Sequence, residues 1–225
     1  MTYGVPVPTI GQRLRMKLLV HSFKLFLMLS PLARAQNCLT LAVGSGLASA
    51  MGANLGAKVR GLDSSPNLLK IAKKRVSDGD FRLGDINSSF PWQDDTFDVV
   101  TAFNSLFFAT DQVLTLSEVR RVTRPSGRVA IVYWGLPEEV EASAYLNALK
   151  PLMPPPPELP NPFSTADQLE ELARKVQLKP QCVFDVNWSW KYPDLRTALR
   201  GLLSAGPSTI AIRIAGEQAV RDSLY

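Results

Sequence analysis

Glycine and acidic residues stand at regular intervals in the first half of the chain. Gly44 and Gly46 follow a short apolar run, and Asp63, 17 residues beyond Gly46, ends the next one. Asp85 and Asn104 follow two further apolar segments. Glycines let the backbone approach a ligand closely, and an acid at the end of the following strand is placed to accept both hydroxyls of a ribose. The spacing therefore predicts a site for a nucleoside-containing cofactor.

The glycine turn by itself does not identify the nucleoside. A dinucleotide site is typified by GxGxxG, but Ser49 occupies the third glycine position, and the chain has no GxxxxGK[ST] phosphate loop. A Gly-Ser-Gly turn alone also suits an ordinary strand-to-helix connection, and Asp63 alone suits a solvated or helix-capping acid. Their combination favours the cofactor site, and Ser49 disfavours an NAD-linked oxidoreductase.

Alternating apolar and amphipathic stretches predict the elements that position these residues. Strands alternate with helices, which implies parallel pairing through right-handed crossovers. The predicted fold class is therefore α/β, doubly wound around a mostly parallel sheet, and ligands bind such sheets at the carboxyl ends of the strands. The predicted strands are 38–43, 58–63, 81–83, 97–103 and 128–134, the predicted helices are 47–55, 67–76 and 112–122, and a turn is predicted at 124–127.

The N-terminal segment has two interpretations. Residues 10–29 predict an amphipathic helix that packs on the sheet or covers a ligand, with His21 as a structural residue. Residues 16–35 have the outline of a secretory signal, but the apolar run 18–32 is shorter than the ~20 residues of a membrane-spanning helix. We expect a cytoplasmic protein that keeps its N-terminus and does not insert stably in a membrane. Secretion or membrane association through residues 16–35 is the alternative.

The segment after residue 134 continues the alternation of helices and strands. A sixth strand is predicted at 181–190, and seven prolines between residues 151 and 162 predict a stiff connector. The expected organisation is a cap segment, 1–36, followed by a single α/β domain, 37–225, with the proline-rich insertion 151–162. The predicted helices of this segment are 138–149, 167–176, 194–203 and 208–224.

The composition excludes several classes of protein. The chain has 225 residues, of which 46% are hydrophobic, so it can bury a substantial core. Its two cysteines, Cys38 and Cys182, are expected to be buried thiols and not a disulfide framework. The single histidine, His21, leaves no ligand set for zinc and no Ser-His-Asp triad, so no metal is expected. The net charge of +5 arises from residues 1–62, which lack acids, so nucleic acid is not an expected partner.

Four motifs in order give the chain a family resemblance: LAVGSG, KVRGLDSSPNLLKIAKKR, RLGDINSSFPWQDDTFDVVTAFNSLFF and EVRRVTRPSGRVAIVYWG. With them the sequence resembles class I S-adenosylmethionine-dependent methyltransferases, in the small-molecule group with ubiquinone- and menaquinone-type relatives. The resemblance covers about residues 39–134 and implies methyl transfer from S-adenosylmethionine to a small-molecule acceptor. The catalytic residue stays open, with Asn104, Tyr133 and Trp134 as candidates near the mouth of the site.

The resemblance also implies which residues would hold S-adenosylmethionine. Its methionine part would lie on the glycine turn, its ribose at Asp63, and its adenine beside Asp85 and Ile86. The implied cofactor-binding residues are Ala42, Gly44, Ser45, Gly46, Asp63, Ser64, Asp85, Ile86, Phe103, Asn104 and Ser105.

The chain departs from the family pattern in three places. Its first strand carries Thr40 where the pattern has an acid, its N-terminal helices are short and basic, and no pattern for the usual last strand follows. These departures support an alternative function, a catalytically weakened or inactive relative that uses the same fold for binding. Calorimetry with S-adenosylmethionine, S-adenosylhomocysteine and NAD separates these possibilities.

Overall fold

The structure of the chain, a computed structural model, describes residues 10–14, 37–135, 142–155, 165–181, 183, 186–190 and 192–224. Contacts within the chain divide it into two compact units. The sheet unit comprises residues 15–134 and 159–186, and the helical unit comprises residues 1–14, 135–158 and 187–225. The predicted boundary after residue 36 and the second half of the proline-rich insertion lie outside the described residues, so the predicted division stays a prediction.

The chain forms seven described strands and eight described α-helices. The strands are β1 (Ile10–Leu14), β2 (Asn37–Leu41), β3 (Lys58–Asp63), β4 (Asp80–Leu83), β5 (Phe97–Phe103), β6 (Thr123–Val132) and β7 (Val186–Trp190). The helices are α1 (Leu47–Ala53), α2 (Pro66–Arg75), α3 (Gln112–Val122), α4 (Ala142–Leu149), α5 (Ala166–Lys175), α6 (Leu195–Leu203), α7 (Gly206–Ala215) and α8 (Glu217–Ser223).

Five of the strands form a parallel sheet in the order β4-β3-β2-β5-β6. The chain adds β3 and β4 on one side of β2 and then crosses over to add β5 and β6 on the other. The strand order therefore reverses between β2 and β5, which is where ligands bind in sheets of this kind. The predicted doubly wound α/β fold is confirmed. Within the described residues, no further strand extends the sheet beyond β6.

The sheet is buried on both faces because its central strands are apolar on both sides. Leu39 and Leu41 of β2 belong to one buried cluster, to which α3 contributes Leu116. Cys38, on the opposite face of the same strand, belongs to a second cluster, to which α2 contributes Leu69. Burial raises the pKa of the Cys38 thiol to about 12, which agrees with the predicted structural role. Cys182 lies outside the described residues.

Short-range side-chain contacts set the starts of the helices beside the sheet. Ser65 Oγ accepts a hydrogen bond from the Leu68 amide at 3.3 Å, and Pro66 occupies the first position of α2. Asp111 Oδ1 accepts one from the Leu114 amide at 2.9 Å at the start of α3. Because caps and N-terminal prolines are local signals, these helices begin within one residue of their predicted starts.

The helical unit has its own buried core. Tyr145 of α4 packs in a cluster with Leu202, Ala211 and Val220. The Tyr145 hydroxyl lies 2.8 Å from Ser208 Oγ and donates to the Leu202 carbonyl at 3.2 Å. The buried phenol is therefore satisfied within the unit.

The predicted helix over residues 10–29 is wrong at its start. Residues 10–14 form β1, which pairs with β7 in a separate two-stranded sheet. The described part of the predicted sixth strand, Val186–Trp190, pairs there too, instead of extending the parallel sheet. A strand needs a hydrogen-bonding partner, and this partner lies far away in the sequence, so no local pattern signals it. Residues 15–29, with His21, lie outside the described residues.

A predicted turn and a predicted helix also differ from the structure. The segment 124–127, predicted as a turn, lies within β6, where the register with β5 shifts between Phe97 and Val99 and Ser126 has a φ of 65°. The predicted helix 208–224 is divided into α7 and α8 by Gly216, with a φ of 86°. In both places one residue with a left-handed backbone interrupts a regular element.

The described helices also bear on membrane association. None of them combines the length and the apolar character that a bilayer crossing requires. The predicted cytoplasmic location, and the alternative through residues 16–35, which lie outside the described residues, stay predictions.

Candidate functional site

A cavity of about 520 Å³ opens at the carboxyl ends of the sheet, where the strand order reverses. This volume is in the range of small-molecule sites, ~300–1,000 Å³. All the predicted cofactor-binding residues except Ser45 and Gly46 line it. The lining residues are Ala42, Gly44, Asp63, Ser64, Ser65, Leu68, Gly84, Asp85, Ile86, Asn87, Phe103, Asn104, Ser105 and Phe108.

The turn after β2 forms one wall of the cavity. Gly44 has a φ of 57°, and a side chain there would have only the Ala42 carbonyl oxygen nearby, at 3.9 Å. Gly46 has a φ of 76°, and a Cβ there would lie 2.9 Å from Cα and Cβ of Ala72 in α2. Both glycines therefore suit the turn, but for different reasons. Gly44 leaves space beside the cavity, and Gly46 permits close packing against α2.

Asp63, at the end of β3, ties this turn to the start of α2. Its Oδ2 accepts a hydrogen bond from the Gly44 amide at 2.7 Å, and its Oδ1 accepts one from the Ser65 amide at 2.8 Å. The residue is 6% exposed. A carboxylate oxygen can accept two hydrogen bonds, so each oxygen can still accept one from a ligand. Asp63 can thus bind a pair of hydroxyl groups without losing its structural contacts.

Asp85 anchors the loop after β4. Its Oδ1 accepts hydrogen bonds from Asn87, from the amide at 2.9 Å and from Nδ2 at 2.8 Å. Asn87 Oδ1 in turn accepts from the Thr110 amide at 2.6 Å and from Thr110 Oγ1 at 2.9 Å. This chain of contacts joins the loops after β4 and β5 and places Ile86 against the cavity.

The residues after β5 line the cavity and contain two buried polar side-chain atoms without partners. Asn104 has a φ of 47°, and its amide donates to the Val132 carbonyl at 2.8 Å. Within the described residues, neither Asn104 Oδ1 nor Ser105 Oγ has a hydrogen-bond partner, and Ser105 is only 2% exposed. Buried polar atoms are nearly always hydrogen-bonded in folded proteins. Both side chains lie beside the cavity, and a change of rotamer would bring their polar atoms to a ligand.

The charged side chains that line the cavity are acidic. Asp63 and Asp85 are ionisable, and the described lining residues include no lysine, arginine or histidine. Such a wall favours ligands that carry positive charge or hydroxyl donors. It disfavours a ligand with a pyrophosphate in the same space, because like charges repel at short range.

Ser45 and Gly46, both predicted to bind the cofactor, do not line the cavity. Ser45 faces the end of α2, where Arg75 Nη1 donates to its carbonyl oxygen and, at 2.8 Å, to its Oγ. Gly46 packs on Ala72 of the same helix. These contacts give both residues a supporting position behind the turn.

Thr40, which stands where the family pattern has an acid, is not among the residues that line the cavity. It is 2% exposed, and its Oγ1 accepts hydrogen bonds from Ser49 Oγ at 3.3 Å and Thr101 Oγ1 at 3.1 Å. Ala42, two residues later, faces the cavity instead. Thr40 therefore lies among hydroxyl groups beneath the site.

Several lining residues have no counterpart among the predicted site residues. Ser65, Leu68 and Phe108 are exposed to the cavity from the start of α2 and the loop after β5. Ser65, Leu68 and Phe108 lie within five residues of Asp63 or Asn104 in the sequence, and this proximity is the feature from which they could have been predicted. Tyr133 and Trp134, considered near the mouth, are not among the lining residues.

Residues 39–131 match the model of a family described as a methyltransferase domain. The match confirms the family resemblance drawn from the four sequence motifs. The demethylmenaquinone methyltransferase of Bacillus subtilis is 34% identical over 113 residues, which are 48% of this chain and 48% of that protein. The chain thus spans about half the length of the curated relatives it matches.

Solved structures support the same fold. The YcgJ protein from Bacillus subtilis has a TM-score of 0.56 at 21% identity and covers 90% of this chain and 87% of its own. A SAM-dependent methyltransferase from Aquifex aeolicus has a TM-score of 0.52 at 17% identity, over 69% of this chain and 82% of its own. At these identities the likeness establishes the architecture.

Proposed function

We propose that this chain, which carries a methyltransferase domain of the S-adenosylmethionine-dependent class at residues 39–131, transfers a methyl group from S-adenosylmethionine to a small-molecule acceptor. The observation that carries the proposal is the cavity at the switch point of the sheet, with two carboxylates and no basic side chain among its described lining residues. S-adenosylmethionine has a sulfonium, an ammonium and two ribose hydroxyls, all of which such a wall attracts. NAD would place its pyrophosphate against the same carboxylates.

The polar atoms of the cavity fit this cofactor. Asp63 is proposed to accept hydrogen bonds from the ribose hydroxyls through the free acceptor sites of its two oxygens. Asp85 and Ile86 would flank the adenine, and Ala42 and Gly44 would lie beside the methionine part. Asn104 Oδ1 and Ser105 Oγ, which lack partners in the described part of the chain, would gain them from the ligand after a change of side-chain rotamer.

The chemistry requires little from the protein beyond positioning. When bound, S-adenosylmethionine supplies a methyl group already activated for transfer, so the acceptor mainly has to be held in line with it. Leu68 and Phe108 would keep water from the mouth of the cavity, and the Phe103 ring would face the positive charge. No catalytic residue is assigned.

The acceptor is proposed to lose its proton without help from a basic side chain of the protein. Asp63 and Asp85, the ionisable side chains of the described lining, are both assigned to the cofactor, so neither is available as a base for the acceptor. An acceptor with a weakly held proton needs no strong base at neutral pH. Separately, the name of the Bacillus subtilis relative makes demethylmenaquinone the first acceptor to test, in its reduced form because the electron-rich ring accepts the methyl group.

Calorimetry tests the cofactor site directly. Wild-type protein is expected to bind S-adenosylhomocysteine and S-adenosylmethionine, and not NAD. Asp63→Asn should weaken binding by about 1–3 kcal/mol, because the NH2 group cannot accept from a hydroxyl and also opposes one of the two backbone amides that Asp63 holds. Asp78→Asn, an exposed acid in the same unit, is the matched control and should bind normally. Folded protein that binds neither compound at millimolar concentration contradicts the proposal.

A transfer assay then separates catalysis from binding. Methyl-labelled S-adenosylmethionine is incubated with reduced demethylmenaquinone, and label in the extracted lipid is measured. Label above the level obtained with Asp63→Asn supports the enzyme and the acceptor. Binding of S-adenosylmethionine without transfer to any acceptor would favour the alternative, a binding protein with this fold.

A further inference from the structure

A second, smaller cavity lies at the opposite end of the sheet unit. It has a volume of about 200 Å³ and is formed by the start of β6 and the segment that follows α5. Thr123, which lines it, is the first residue of β6 and pairs in register with Phe97, the first residue of β5. The cavity is therefore at the amino ends of these strands, whereas the candidate cofactor site is at the carboxyl ends.

The walls of this cavity carry four basic side chains, Arg120, Arg124, Arg128 and Lys179. Arg124 is paired with Asp98, with 2.8 Å between Nη1 and Oδ1. Within the described residues, the other three have no carboxylate within ion-pair distance. The described lining residues include no acid. In the described part of the chain, one carboxylate, that of Asp98, therefore balances the positive charge of this cavity.

Two arginines of this cavity, Arg120 and Arg128, differ from three others in the same unit. Arg60 and Arg82 both contact Asp80, and Arg121 contacts Glu118 at 2.7 Å. By contrast, Arg128 Nη1 donates to the Ser126 carbonyl at 3.0 Å, and Arg120 Nη1 donates to the Thr123 carbonyl at 3.4 Å. A carbonyl dipole holds a guanidinium in place without neutralising it. These two groups thus keep their charge and most of their N–H donors for a ligand.

Two residues at the second cavity have a left-handed backbone conformation. Ser126, next to one wall, and Gln177, in the other, have φ values of 65° and 62°. Gly127 allows a tight bulge, because a Cβ there would lie 2.9 Å from the Arg124 carbonyl oxygen. The bulge places Arg124 and Arg128 beside one cavity although three residues lie between them, and the turn at Gln177 brings Lys179 to the facing wall.

We infer that this cavity binds a small anion that carries one or two phosphate groups. Arginine pairs with phosphate through parallel hydrogen bonds, and lysine supplies an additional point charge. The volume of about 200 Å³ accommodates inorganic phosphate, pyrophosphate or the terminal phosphates of a larger molecule, and is smaller than the cavity proposed for the cofactor. The inference does not depend on the proposed methyl transfer.

Titration calorimetry of the full chain with pyrophosphate and with inorganic phosphate, at constant ionic strength set with sodium chloride, tests the site. Both anions are expected to bind, pyrophosphate more tightly because of its higher charge. Arg128→Gln combined with Lys179→Gln should weaken pyrophosphate binding about tenfold or more. Arg213→Gln, a change of the same kind at an exposed arginine of α7, is the control and should leave binding unchanged.

Binding of S-adenosylhomocysteine is measured on the same variants. Normal affinity of the double variant for that compound, with weakened pyrophosphate binding, locates the anion site away from the cofactor site. Equal pyrophosphate affinity in wild-type protein and the double variant overturns the inference. An RNA oligonucleotide is the competing ligand. The inference is also overturned if the RNA binds more tightly than pyrophosphate and the double variant and Arg213→Gln lose RNA affinity equally. Binding would then reflect the net charge of the surface.

Discussion

Ala42 and Asn104 directly follow the neighbouring strands β2 and β5, have φ values of 44° and 47°, and line the same cavity. Asparagine adopts this left-handed conformation at modest cost, whereas alanine gains nothing from its side chain there. Strain of this kind persists where the surrounding structure enforces it, often at binding sites. The pair thus places the candidate site at the two strand ends where the sheet reverses its order.

Replacing Ala42 by glycine is expected to stabilise the protein by about 0.5–1 kcal/mol, because relief of the left-handed strain outweighs the greater backbone freedom of glycine in the unfolded chain. The free energy of unfolding is measured in urea. Ala50→Gly, within α1, is the control and should destabilise by about 1 kcal/mol, since glycine is unfavourable in a helix interior. Equal destabilisation by both changes would mean that Ala42 is not strained.

The two glycines of the turn should respond differently to alanine. Gly46→Ala places a Cβ against Ala72 and is expected to lower the free energy of unfolding by about 2–3 kcal/mol. Gly44→Ala meets open space, so it should cost only about 1 kcal/mol from its φ of 57°. The methyl group that Gly44→Ala adds would instead enter the cavity and weaken the binding of S-adenosylhomocysteine. Urea unfolding and calorimetry on both variants check this separation, and similar stability losses would contradict it.

Arg75 is expected to act as a positioning residue for the turn. Arg75→Met removes the hydrogen bonds to Ser45 and should weaken S-adenosylhomocysteine binding several-fold, with less than about 0.5 kcal/mol change in stability because the side chain is exposed. Lys74→Met, one residue earlier in α2, is the matched control. Equal affinity in both variants would show that the turn holds its conformation without Arg75.

Acid stability should depend on Glu118. The hydrogen bonds from Arg121, aided by one from the Phe90 amide, lower the pKa of Glu118 to about 2 from its ordinary value of 4.5. Because the folded-state pKa is depressed, the stabilisation is fully present above pH 4.5 and is lost as the pH falls toward 2. Glu118→Gln should therefore destabilise on the order of 2 kcal/mol at pH 7, and progressively less between pH 4.5 and 2.

The control for this measurement is Glu171→Gln, which alters an exposed acid paired with Lys175 in α5. Its stability should stay close to that of the wild type across the same range, since exposed pairs contribute little. A constant difference between Glu118→Gln and wild type from pH 7 to the acid range would exclude the ionised carboxylate as the source of the stabilisation.

Much of the sheet unit could be predicted from the sequence because its signals are local. β3, β5 and α3 have the predicted bounds, since each is a continuous apolar or amphipathic run that ends at a cap or a change of periodicity. Parallel pairing follows from the alternation of such segments. The strand-end residues Gly44, Asp63 and Asn104 share a cavity for the same reason.

What the sequence by itself determined was therefore which segments form strands and helices, and that their carboxyl ends carry the residues of a common site. Only the tertiary structure decided that β1 pairs with β7, that Ala42 and not Thr40 faces the cavity, and that Arg128 and Lys179 meet at a second one. Each of these depends on side chains or strands that are distant in the chain and adjacent in space. Such contacts are set by packing and long-range hydrogen bonding, which leave no periodic pattern in the residues on either side.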